Sequence, residues 1–111
     1  MPRHLRLYYV SIDMATVRID NVLLDELTAQ AKVSERLRMN YDLRNSSEDT
    51  SQRMLNAIEP GSVVPVHRHR NTSETVVCLR GRFIEEFFSD SGKVIESLEI
   101  AAESACCALN I

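Results

Sequence analysis

The feature that most constrains this chain is residues 61–81, in which two histidines and a glutamate are spaced for a β-hairpin. His67 and His69 lie in a run rich in β-branched residues, and side chains two apart in a strand project from the same face. The polar residues 70–73 have the length and composition of a hairpin loop, which would put Glu74 opposite His69. Because opposed side chains in a sheet lie close together, the two imidazoles and the carboxylate are predicted to converge on one point.

Two histidines and one carboxylate with open positions are the ligands of non-haem iron sites, and other divalent transition metals accept the same donors. The predicted cofactor is therefore a divalent transition metal, with iron, manganese, nickel and zinc left as alternatives. A simpler interpretation is that the histidines lie on a basic, exposed edge, because Arg68 and Arg70 flank them.

The full spacing, G-x5-H-x-H-x4-E-x6-G, resembles the first motif of the cupin superfamily. The resemblance extends over residues 23–96, where segments 36–40, 52–61 and 65–69 are similar to the WbuC family of cupin-fold metalloproteins. It implies a mainly β fold, a small jelly-roll-like barrel with the metal inside its mouth, and metal ligands at the three positions above. Members of that family are associated with O-antigen and other surface-polysaccharide gene clusters, so the resemblance also implies a sugar or nucleotide-sugar as ligand.

The cupin pattern is incomplete in this chain. Cupins continue into a second motif, G-x5-P-x4-H-x3-N, which supplies a further histidine ligand and the strands that close the barrel, and no residues here match it. We therefore expect an incomplete barrel, a metal with three ligands from this chain, and an open sheet edge that a second copy covers. The predicted assembly is a homodimer, with strand exchange as one way of forming it. A truncated chain is equally compatible with the sequence.

The sequence predicts one helix followed by strands, within a single cupin-like domain of residues 1–111. Residues 1–34 form an N-terminal extension and an amphipathic helix over 22–33, where leucines recur at helical spacing after the capping residues Asp20 and Asn21. The pattern of residues 1–19 is compatible with one or two strands. At residues 85–88 two glutamates are followed by two phenylalanines, which interrupts the alternation and predicts a bulge. Residues 35–111 form the barrel, with strands predicted over 36–44, 52–59, 63–69, 75–79, 82–88, 93–100 and 106–111.

Composition limits the classes of partner. The net charge is −3, aromatic residues make up 5% of the chain, and there is no tryptophan, which argues against nucleic-acid binding by phosphate neutralisation or base stacking. The apolar stretch 7–12 is too short to span a membrane. The chain has three cysteines, Cys78, Cys106 and Cys107. Because their number is odd and their spacing is not that of a zinc finger, they are predicted to be buried free thiols in a reducing cytoplasm.

Two classes of function follow. The first is a metal-dependent enzyme, of isomerase or epimerase type or another cupin reaction, acting on a sugar or other small polar metabolite in the surface-polysaccharide biosynthesis that the resemblance implies. Arg53 and Arg80 are candidates for binding an anionic part of the substrate. No catalytic residue is assigned, because Glu59, Tyr41 and Glu85 have no spacing that supports a general base. The second class is a non-catalytic module that holds a sugar or metabolite in the same pocket; a structural remnant without metal is a third interpretation.

Overall fold

A computed structural model of the chain describes residues 4–9 and 16–111. The chain is mainly β, with one helix and six strands among the described residues. The strands pair two by two into antiparallel sheets, and these residues form no closed barrel. The chain divides into two compact units, Met1–Pro65 and Val66–Ile111.

Helix α1 (Asn21–Val33) begins where the sequence predicts its cap. Asp20 is the N-cap, and its side-chain carboxylate accepts a hydrogen bond from the backbone N–H of Leu23 at 3.1 Å. This bond satisfies one of the N–H groups that have no partner inside a helix. At the other end Lys32 lies in the last turn, where the helix dipole favours a positive charge, before Ser34 returns to extended backbone. The predicted helix is confirmed and begins one residue earlier.

The first unit also contains strands β1 (Arg38–Asp42) and β2 (Met54–Ile58), which form an antiparallel pair against helix α1. Its buried apolar residues are Leu55 of the sheet and Leu27 and Ala31 of the helix. Neighbouring residues in a strand point to opposite faces, so β2 buries Leu55 while the residues on either side of it stay exposed. The strands predicted over residues 36–44 and 52–59 are present, with shorter bounds.

The second unit contains two further antiparallel pairs. β3 (Thr75–Val77) pairs with β6 (Ala108–Asn110), and β4 (Arg82–Phe88) pairs with β5 (Val94–Ala101). The fully buried Ile100 of β5 is the largest such side chain in the described residues.

The β4–β5 hairpin follows the sequence closely. Its turn is closed by hydrogen bonds from the backbone N–H of Ser89 to the carbonyl of Lys93 at 2.8 Å and from Gly92 back to Ser89 at 2.9 Å. The register shifts between Phe87 and Phe88, which is the irregularity that the paired residues predict. The bounds of β4 are those predicted, because alternation and turn residues agree at both ends.

The prediction of a strand over residues 63–69 is wrong, because these residues lie in no helix or strand. The strand that follows pairs with the C-terminal segment instead: Glu74 and Ile111 exchange backbone hydrogen bonds of 2.9 and 2.7 Å. Pro65 has no N–H to donate to a ladder, whereas the C-terminal segment offers an uninterrupted row of donors and acceptors. The strand predicted over 106–111 is confirmed as β6.

Residues 4–9 and 16–19 are exposed and belong to no helix or strand. The remainder of the strand prediction for residues 1–19 lies outside the described residues. Among the described residues, no helix combines the length and the apolar character needed to cross a membrane.

Candidate metal site

The three predicted metal ligands lie in the second unit, on the loop 66–74 that leads into β3. Glu74 ends this loop, and its backbone is fixed by the two hydrogen bonds to Ile111. The side chains of His69 and Glu74 are 50% and 46% exposed, so the loop presents them at a surface open to water.

The structure brings the side chain of His69 next to those of both Glu74 and His67, without the predicted strand pairing. His69 Nε2 lies 3.2 Å from Glu74 Oε2. The ring of His67 lies beside that of His69, with centroids 5.0 Å apart and planes at 88°, an edge-to-face contact. The closeness of His69 and Glu74 that the spacing predicts is therefore present, and the ring of His67 adjoins that of His69.

The donor atoms of His69 and Glu74 have the separation of two ligands on one ion. Ligands about 2.1 Å from a metal at tetrahedral or octahedral angles are about 3.0–3.4 Å apart, and the observed distance is 3.2 Å. No group of three or more histidine, cysteine, aspartate and glutamate side chains within the described ranges is arranged to hold a metal ion. Donor chemistry and spacing therefore fit a metal at two positions, although an imidazole–carboxylate ion pair has the same separation. A third ligand is not in place among the described residues.

Arg68 separates the two histidines and interacts with another part of the second unit. Its guanidinium pairs with the carboxylate of Asp90 in the β4–β5 turn. Both side chains are mostly exposed, at 58% and 87%, so the pair contributes little to stability. The contact places Arg68 of the histidine loop beside the hairpin turn, so Arg68 interacts within the chain and is not simply part of a basic exposed edge.

The two predicted substrate-binding arginines lie in different units and have internal contacts. Arg53, in the first unit, donates to the backbone carbonyls of Ser51 and Leu43, both at 3.0 Å, and contacts the Asp49 carboxylate at 3.4 Å. Substrate binding by Arg53 would require these contacts to break. Arg80, between β3 and β4, is exposed and also interacts within the chain.

Two carboxylates near the β1–β2 connection have contacts that the sequence analysis does not identify: Asp42 at the end of β1, and Asp49 within the connection. Arg44 forms a fork on Asp42, with nitrogen–oxygen distances of 2.8–3.1 Å, and this hydrogen bonding lowers the pKa of Asp42 and raises that of Arg44. The pKa of Asp49 is lowered mainly by the backbone N–H groups of Asn45 and Ser51, which donate to its carboxylate. The Asp-x-Arg spacing and the polar run 45–51 are the signals from which this loop could have been recognised.

All three cysteines are free thiols, but only Cys78 is buried. Its thiol lies 3.3 Å from the carbonyl oxygen of Gly81, and its backbone N–H donates to Cys107 at 2.8 Å. Cys106 is half-buried and Cys107 is exposed, so the prediction of burial is wrong for these two. They lie in the connection that enters β6.

The two glycines that bound the motif both adopt positive φ angles, +95° at Gly61 and +73° at Gly81. Gly61 follows Pro60 in a turn closed by a hydrogen bond from the N–H of Ser62 to the carbonyl of Glu59 at 3.1 Å, and the third position of such a turn requires positive φ. A Cβ at Gly61 would also lie 3.2 Å from the side chain of Leu37. Backbone geometry thus explains the ends of the motif.

Comparison with known proteins assigns the chain to a family. No curated protein and no solved structure matches the chain. A family model described as a domain of unknown function, DUF6016, matches residues 19–100, a stretch that begins just before α1 and contains the whole candidate site. Because the match covers well over half of the sequence, the chain belongs to the DUF6016 family.

Proposed function

We propose that the protein binds a divalent transition metal through His67, His69 and Glu74 and uses it to hold a sugar or another small polar metabolite. The observation that carries this proposal is the 3.2 Å separation of His69 Nε2 and Glu74 Oε2, with the ring of His67 adjoining.

The three side chains would have separate tasks in such a site. Glu74 is the most firmly positioned, since hydrogen bonds to Ile111 fix its backbone on both sides of the residue. His69 is already in contact with it, and rotation of the His67 side chain is the change that a third ligand needs. A bound divalent metal supplies Lewis acidity, which polarises a carbonyl or holds neighbouring oxygens of a ligand.

The exposure of the donors favours ligand binding over catalysis. Enzymes that stabilise charged intermediates exclude water from the reacting atoms, whereas His69 and Glu74 are about half exposed. Metal-dependent isomerase or epimerase chemistry on a sugar in surface-polysaccharide biosynthesis is the second candidate, favoured by the motif spacing.

The proposal extends to the fold and the setting of the protein. The motif spacing and the mainly β content support a cupin-type barrel to which these strand pairs contribute. A homodimer would cover strand edges that a second cupin motif would otherwise pair. Three free thiols fit a cytoplasmic location.

Metal binding is tested by titrating the full chain with Zn²⁺, Mn²⁺, Ni²⁺ and anaerobic Fe²⁺ and following its thermal unfolding. A metal at 100 times its Kd stabilises the folded state by about 2.7 kcal/mol, a readily measured rise in Tm. The His69→Ala variant should lose this rise, while His4→Ala, which removes a histidine outside the loop, should keep it. Equal responses of the wild-type protein and His69→Ala would refute the site.

Binding and catalysis are separated by a second experiment on the metal-loaded protein. Sugars and nucleotide-sugars are screened for a further rise in Tm, and each hit is incubated with the protein while its NMR spectrum is recorded. A stabilising ligand that stays chemically unchanged supports the binding module. Conversion that disappears in His69→Ala would instead establish the enzyme.

A further inference from the structure

Residues 4–9 have the pattern of a β-strand without a partner. Leu5, Leu7 and Tyr9 alternate with His4, Arg6 and Tyr8. The four large apolar and aromatic side chains of this segment are 69–87% exposed, and the backbone belongs to no helix or strand. An extended segment that exposes this much apolar surface is typical of an interaction site.

Strand β4 offers the best matching sheet edge. Among the described residues each strand pairs with a single other strand, so every sheet has two open edges. β1, β2, β3 and β6 have five residues or fewer, whereas β4 has seven and can pair with a six-residue segment along its whole length. β5 is also long, but Cys106 already accepts a backbone hydrogen bond from Ala101 at its end.

Charge favours the same edge. The β4–β5 hairpin carries four glutamates against one arginine in its strands; they are Glu85, Glu86, Glu96, Glu99 and Arg82. The segment 4–9 carries a positive charge at Arg6 and no acidic residue. A basic strand laid along the acidic hairpin brings opposite charges together.

One antiparallel register pairs the two strands with few mismatches. With Arg6 opposite Glu86, Leu5 lies opposite Phe87, Tyr8 opposite Ile84 and Tyr9 opposite Phe83; these pairs follow from the two sequences alone. Among the apolar and aromatic residues of the segment, only Leu7 lies opposite a charged residue, Glu85. A slip by one residue would turn every side chain to the other face, so the pattern selects this register over its neighbours.

We propose that residues 4–9 of one copy add as an antiparallel strand to β4 of a second copy. Reciprocal exchange of the two segments gives a closed, two-fold symmetric dimer in which each contact occurs twice. Main-chain hydrogen bonds along the edge provide affinity, and the Arg6–Glu86 pair fixes the register.

A charge-swap experiment on the full chain tests the proposal by sedimentation equilibrium. Arg6→Glu and Glu86→Arg each put like charges opposite one another at two symmetric contacts, so each should raise the dimer Kd by at least about tenfold. The double variant restores opposite charges and should return the Kd to within about threefold of the wild-type value. Arg18→Glu and Glu48→Arg, which make the same charge changes at exposed positions elsewhere, should leave it unchanged.

The outcomes are distinct. Weakening by both single variants with recovery in the double variant supports pairing between residues 4–9 and β4. A wild-type protein that is monomeric at 100 µM, or a dimer that tolerates Arg6→Glu, overturns it. A dimer that both single variants weaken and the double variant does not restore also overturns the proposed register. Far-UV circular dichroism of each variant confirms folding, which these exposed substitutions should preserve.

Discussion

Truncation after Leu109 should loosen the β3–β6 pair along its whole length and release Glu74. The truncated chain lacks the Ile111 groups that exchange hydrogen bonds of 2.9 and 2.7 Å with the backbone of Glu74. It also lacks Asn110, whose side-chain oxygen accepts a hydrogen bond from the Thr75 hydroxyl at 2.8 Å. Glu74 would then be held only by the loop before it and the strand after it.

The cost of this truncation follows from the three lost bonds. Each backbone bond contributes about 1 kcal/mol net, and the exposed side-chain bond about 0.5 kcal/mol at most, so the pair loses about 2 kcal/mol. That energy corresponds to about a thirtyfold larger population of the opened strand pair. The estimate assumes that β3 and β6 open together, as contiguous strands in one ladder do.

Amide hydrogen exchange at Cys78 measures this opening from the far end of the pair. The N–H of Cys78 donates to Cys107 at 2.8 Å, and neither residue is altered by the truncation. Its protection factor should fall by about thirtyfold, whereas Asn110→Ala, which removes only the side-chain bond, should lower it by no more than about threefold. Unchanged protection at Cys78 would refute the reasoning, because the two ends would then open independently and β6 would not order the site.

Three further predictions concern stability. Ile100 has no exposed surface, so Ile100→Ala should lower the free energy of unfolding by about 2–5 kcal/mol in urea titrations. Ile95 is 69% exposed, so Ile95→Ala should lower it by less than about 0.5 kcal/mol. Equal losses in the two variants would contradict the difference in burial. Gly81→Ala should lower the free energy of unfolding by about 1–2 kcal/mol in the same assay because of its positive φ. Apart from its chain neighbours, no atom lies within 4 Å of the added Cβ, so a steric clash adds nothing. A stabilised variant would rule out that backbone conformation. Arg44 lowers the pKa of Asp42 below its ordinary 3.8, so the unfolded chain binds more protons and stability falls as acid is added below that value. Asp42→Asn should flatten this part of the pH–stability curve, and an unchanged slope would contradict the assignment.

Local signals in the sequence were sufficient for the helix and for the β4–β5 hairpin. Asp20 is a capping residue at the position where the apolar spacing becomes helical, and its side chain accepts the expected bond. The hairpin combines alternation in Arg82–Phe88 with the turn residues 89–92. In both cases each residue's preference agrees with that of its neighbours, which is why the bounds could be placed from the sequence.

The partner of β3 could not be predicted in this way, because strand pairing is decided by residues far apart in the chain. Thr75 pairs with Asn110, 35 residues later, and nothing in the local pattern of residues 63–79 identifies that partner. The contact between His69 and Glu74 was nevertheless predicted, since a short polar loop brings its ends together whether or not strands flank it. This one contact was therefore more predictable than the strand pairing around it.

The motif combines two kinds of constraint, and only one of them bears on metal binding. Gly61 and Gly81 both have positive φ, so turn geometry alone accounts for their positions and would do so in a chain that binds no metal. Turn geometry does not explain why His67, His69 and Glu74 are present, and their side chains are the proposed metal ligands. A glycine variant that lost metal affinity would report a damaged backbone, whereas Glu74→Gln keeps size and shape and removes only the charge. Loss of metal binding in Glu74→Gln with an unchanged Tm of the metal-free protein is therefore the result that would separate a metal site from a motif that only forms turns.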